Sequence, residues 1–139
     1  MKLSSNRLAG LGLILLACAL ACAGCDLPSG SPTSSTVDTF AGTLAVKGSN
    51  IFTFTVPQAG PVSVTLATLS GAPASGVGLG LGTPSGTTAC TLTTSTSTAS
   101  PGASAQISVS LADGTFCVEL FDVGNLASPA SFTIQVNHP

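Results

Sequence analysis

The stretch Asn50–Leu69, "NIFTFTVPQAGPVSVTLATL", decides the fold class. In its first half Phe52, Phe54 and Val56 fall on one side of an extended chain, and Thr53 and Thr55 on the other. After the turn "PQAGP" at 57–61 the pattern resumes, with Val62, Val64 and Leu66 set against Ser63 and Thr65. An apolar residue at every second position, drawn from β-branched and aromatic types, marks a strand that buries one face. Proline fixes φ and glycine frees it, so the segment between the two runs reverses the chain. The same alternation returns in "QISVSL" (Ile107, Val109, Leu111) and in "SFTIQVN" (Phe132, Ile134, Val136). Past residue 37 there is no apolar stripe at helical spacing.

Turn chemistry punctuates the rest: "KGSN" at 47–50, "SGAPASG" at 70–76, "TPSG" at 83–86, "ASPG" at 99–102 and "ADG" at 112–114. The strands between them are expected at 40–46, 51–56, 62–69, 77–82, 88–93, 105–111, 115–122 and 131–137. Seven or eight short strands with Gly/Pro-rich connections predict an all-β chain, an antiparallel β-sandwich. "GVGLGLG" at 76–82 does not complete a phosphate-binding glycine motif, and no helix follows it. Val77, Leu79 and Leu81 are expected in the core, with the glycines facing outward or lying beneath another backbone.

The beginning of the chain has a different character. Lys2 and Arg7 precede an uncharged run from Leu8 to Gly24 that is rich in Leu and Ala, and small residues close it. That layout is a secretory signal: a basic end, an apolar middle and a small-residue cleavage site. An uncleaved membrane helix is the alternative for a run of this length. "CAGC", ending at Cys25, resembles the bacterial lipobox, in which a cysteine thiol accepts a diacylglyceryl group and becomes the new N-terminus. Cys25 is the expected lipidation site because the composition turns polar directly after it. Cys18 and Cys22 are the runners-up, and all three could instead be small apolar fillers of an ordinary signal. More than one acyl chain gives lasting attachment. "DLPSGSPTSST" at 26–36 cannot bury enough surface to order itself and reads as a spacer. The expected organisation is a lipoprotein signal peptide at 1–24, the lipidated cysteine and a flexible Ser/Thr/Pro/Gly linker at 25–37, and a sandwich domain at 38–139.

Charge and composition exclude several functions. The whole chain has three basic and five acidic residues, and Lys47 is the one base after Cys25. A phosphate backbone needs several cations along its track, so no nucleic-acid partner is expected. Trp and Tyr are absent, which removes the usual anchors of binding hot spots. A hydrolytic triad needs a base beside its nucleophile. The single His138 is penultimate, where chains fray, and there is no G-x-S-x-G. No catalysis and no cofactor are expected. Asp113, Asp122 and Asn125 are weak candidates for calcium, whose hard ion takes oxygen ligands. Each has a plainer role: Asp113 forms a turn with Gly114, and Asp122 caps a bend in "DVGN".

Cys90 and Cys117 remain. Two cysteines in the mature part of an exported protein usually pair. Closing a loop of that length stabilises by roughly 3–4 kcal/mol on the chain-entropy model. Cys117 has the opposite parity to Phe116, Val118 and Leu120, which sets the bridge on an outer face beneath the 83–104 segment. A reactive thiol or a metal site is the alternative and would need further His or Cys neighbours.

"FTFTVPQAGPVSVTLATL", followed much later by "LADGTFCVELFDVGN" and "SFTIQV", resembles the bacterial pre-peptidase C-terminal (PPC) domain pattern. The likeness covers about residues 38–138, and Phe116 stands where many members have Tyr. It implies a jelly-roll-like sandwich, usually a non-catalytic accessory module of secreted peptidases, some members of which bind calcium or grip a polymeric substrate. The expected protein is thus a non-catalytic module, binding or structural, held on the extracytoplasmic side of a bacterial envelope membrane by its lipid. A protein or polysaccharide is its expected ligand. The alternative is an accessory module that presents a secreted hydrolase or its polymer substrate.

Overall fold

The computed structural model describes residues 34–73 and 75–139. The leader and most of the linker, with Cys18, Cys22 and Cys25, lie outside the described residues. Eight strands follow one another: β1 (Thr36–Leu44), β2 (Ser49–Val56), β3 (Gly60–Leu69), β4 (Val77–Ser85), β5 (Ala89–Ala99), β6 (Ile107–Leu111), β7 (Gly114–Phe121) and β8 (Ala130–His138). They form two four-stranded sheets. The first has the order β1-β8-β3-β6 and the second β2-β7-β4-β5, and every pairing is antiparallel. The described residues form an all-β sandwich.

The alternation read from the sequence supplies the core. Val62, Val64, Leu66, Phe132, Ile134 and Val136 enter it from the first sheet. Phe54, Val56, Val77, Leu79, Leu81, Val118 and Leu120 enter from the second. Each such side chain contributes about 1.5–3 kcal/mol when fully buried. Phe40 stacks on Phe52 with ring centroids 5.0 Å apart, and Phe132 meets Phe52 edge-on, which ties the two sheets together along the β1/β2 side.

Three strands differ from expectation. The first is β4, which runs on to Ser85 through the "TPSG" stretch expected as a turn, because Thr83, Pro84 and Ser85 pair with Thr91, Cys90 and Ala89 of β5. β1 runs over 36–44 rather than 40–46, because Thr36–Thr39 pair with the end of β8 although their side chains are mostly polar. A ladder is held by backbone groups, and polar side chains do not prevent it. The expected tail of that strand is a turn instead: Gly48 N–H donates to the Ala45 carbonyl, and Lys47 adopts a φ of 56°. β5 continues to Ala99, well past the expected end at 93. Its Ser/Thr-rich second half has no apolar alternation to announce it.

Candidate functional site

The first sheet presents hydroxyls and amides to solvent. Thr39 and Thr43 on β1, Ser131, Thr133, Gln135 and Asn137 on β8, Ser63 and Thr65 on β3, and Ser108 and Ser110 on β6 alternate with its buried residues. Charge is absent from this face. At one end of it lies an open groove of about 610 Å³. Ser63, Ser108, Ser110 and Asn137 give the groove its polar lining, Ser35 stands at its rim, and Pro61 and Pro139 form rigid walls. The register explains the convergence, since Ser63 pairs with both Ser108 and Asn137 across neighbouring ladders. Ser35 donates its hydroxyl to the Asn137 amide oxygen. Groups of this kind suit an uncharged ligand with alternating donors and acceptors.

His138 also reaches the groove, and here the structure corrects the sequence reading. The residue is 5 % exposed rather than frayed. It sits in β8 opposite Thr36, and its ring packs 5.6 Å from that of Phe54. Its Nε2 lies 3.2 Å from an Asp38 carboxylate oxygen. Its Nδ1 lies 2.9 Å from the Pro139 carbonyl oxygen. Both nitrogens are therefore engaged, and neither of these partners is a serine hydroxyl. The signal was present in the sequence: His138 shares the parity of Phe132, Ile134 and Val136, and Asp38 shares that of Phe40. The ladder to β1 carries β8 in register to His138, and parity turns that side chain inward.

The calcium candidates are not brought together. Asp113 precedes β7 at one end of the sandwich, and Asp122 and Asn125 follow it at the other. Among the described residues no group of three or more His, Cys, Asp or Glu side chains is placed to hold a metal ion. Asp122 is instead a loop clasp. One carboxylate oxygen accepts the N–H groups of Gly124, Asn125 and Leu126, at 2.9, 2.9 and 3.1 Å. The other accepts the Lys47 N–H at 2.8 Å. The Lys47 amide above all, with the amides of Leu126, Asn125 and Gly124, holds this carboxyl below its ordinary value of 3.8, against burial that pushes it up. Asn125 turns its amide N–H to the Gly76 carbonyl at 2.9 Å.

The second sheet carries a different covering. Cys90 and Cys117 form a disulfide with their Cα atoms 5.9 Å apart, on the outward face as parity required. Beneath it runs the glycine row of β4. Gly82 pairs with Cys117 and with Leu92. Register shifts in the β4–β5 ladder, between Val77 and Leu79 and between Leu81 and Gly82, curl β5 over the row. A Cβ on Gly82 would overlap the Thr91 carbonyl, one on Gly80 the Leu92 side chain, and one on Gly78 the Phe121 ring. All three glycines are buried. This row is packing, and it leaves no ligand space.

No protein-family model matches the chain. No curated protein matches it either.

Proposed function

We propose that this chain is an exported, lipid-anchored and non-catalytic β-sandwich, a binding or structural module of the bacterial cell envelope. The observation that carries the reading is the Cys90–Cys117 bridge standing behind a lipobox-like leader. Paired cysteines persist in oxidising compartments outside the cytoplasm. Cys25 is the proposed lipid attachment point, with the Ser/Thr/Pro/Gly segment as spacer. The strand orders β1-β8-β3-β6 and β2-β7-β4-β5 support a jelly-roll-like arrangement, and with it the similarity to PPC domains. The His138 ring, held at both nitrogens, supports a role without base catalysis.

Intact mass of the protein extracted from membranes tests this. The expected species begins at Cys25, carries acyl groups, and loses a pair of hydrogens to the bridge. A full-length, unmodified species recovered from cytosol overturns the proposal.

The groove favours a second reading, in which the module presents a secreted hydrolase or its polymer substrate. An open cleft in which serine hydroxyls and the Asn137 amide stand among valine and proline walls fits a polymer that lies across several strands. Retention on immobilised polysaccharide or protein polymers, lost in Ser108→Arg, supports this version. Equal retention of the variant removes it.

A further inference from the structure

The His138 ring stands between two oxygens. Its Nε2 lies 3.2 Å from Asp38 Oδ2, and its Nδ1 lies 2.9 Å from the Pro139 main-chain oxygen. A carboxylate and a main-chain oxygen can only accept. A neutral imidazole carries a proton on one nitrogen, so it satisfies one of these oxygens and turns a lone pair to the other. The imidazolium donates to both. Burial of the ring works against the charged form. Asp38 is 38 % exposed, and its carboxylate in contact with the ring works for that form. Among the described residues β2, β3 and β6 bring no ionisable side chain to the ring; β2 packs Phe54 against it. Asp113 precedes β7 near the Phe116 that pairs with Phe54, and it forms neither a hydrogen bond nor an ion pair with the ring.

The oxygen that a neutral ring gives up belongs to the groove. Pro139 is one of the groove's walls, and it lies so close over Gly60 that a Cβ there would overlap its ring. A proton on Nε2 keeps the charge-assisted hydrogen bond to Asp38, which is the stronger of the two, so the proton that leaves is the one on Nδ1. We propose that His138 is a proton-operated clasp on this wall. The imidazolium ties Pro139 to the end of the β1–β8 ladder, and the neutral ring releases Pro139 while it keeps Asp38. Closure takes up a proton, so mild acid favours the fixed wall. The wall is freed as pH rises through the range in which imidazoles titrate. The clasp regulates the cleft of the polymer-presenting reading, and its titration is observable with the cleft empty.

The chain has one histidine, so its ring is seen without overlap. NMR on the purified, untagged full-length chain in mild detergent, with nitrogen-15 histidine and carbon-13 proline, reads the ring and the wall together. In mild acid both ring nitrogens should carry protons. As pH rises Nδ1 alone should lose its proton, and the Pro139 signals should shift with the same midpoint. Asp38→Asn should make the ring release its proton at least about threefold more readily. The titration of the unsubstituted chain decides the matter even where that variant fails to fold. A ring that keeps one form from about pH 5 to pH 8 overturns the proposal. So does loss of the proton from Nε2 instead, a set of Pro139 signals that ignores the titration, or a folded Asp38→Asn variant that titrates like the parent.

Discussion

The outward face of the first sheet is set with hydroxyls and amides and left open to water, whereas that of the second is roofed along β4 by its own chain. Phe121 lies over Gly78, Leu92 over Gly80, and the Thr91 backbone over Gly82, with the disulfide closing the same row. Both faces come from the same period-two pattern, so the difference lies in what occupies the outward positions. Serine and threonine stop at the surface and leave a floor that a ligand can lie on. Glycine leaves a trough that neighbouring strands fill. The first face is therefore open to solvent, and the β4 strip of the second is an extension of the core. Stability should be concentrated on the second face and nearly absent from the first.

The largest test of that contrast is the bridge. Cys90→Ser with Cys117→Ser should lower unfolding free energy by about 3–4 kcal/mol, read from urea denaturation. A loss under about 1 kcal/mol would mean that the roof is held by packing alone. Gly82→Ala should cost about 3 kcal/mol, because the obstacle is a backbone carbonyl that cannot rotate away. Gly78→Ala meets a side chain instead. Phe121 can swing aside, so about 1–2 kcal/mol is expected, together with greater exposure of that ring.

Asp122→Ala supplies a polar reference for the first sheet's hydroxyls, since its carboxylate clasps four backbone amides. Its pKa is lowered in the folded protein, so ionisation there favours folding. That contribution is present above the ordinary carboxyl value and is lost as pH falls through the lower folded value. The gap between parent and variant urea midpoints should be open at neutral pH and close in acid below about pH 4. Smallest of all, Ser108→Ala in the open groove should shift stability by less than about 0.5 kcal/mol. A larger loss would show that the groove floor is also structural.

The sequence made these two faces unequally legible. Strands with apolar residues at alternate positions, such as Phe52–Val56 and Phe132–Val136, announce both their state and their buried side. The glycine row was readable as packing because Val77, Leu79 and Leu81 claim the core side between its members. The bend-capping role of Asp122 was likewise readable from "DVGN". The groove was not, because it depends on β3, β6 and β8 becoming neighbours, and strand order leaves no trace in local pattern. β5 lost its second half for a related reason: "TTSTST" has β-branched threonines but no apolar period. His138 was misjudged by its place near the chain's end, although its parity with Val136 placed it inside.

The pairing of β1 with β8 has a consequence for how the molecule comes into being. Asp38 and His138 meet across 100 residues of chain, so β1 has no sheet partner until β8 exists. Contacts so distant along the chain make folding slow, because a long loop must close before its interactions compensate the lost freedom. Of the eight strands β1 is made first and β8 last, and β1 pairs with no strand but β8. During vectorial synthesis the first sheet therefore lacks its β1 ladder until β8 has been made.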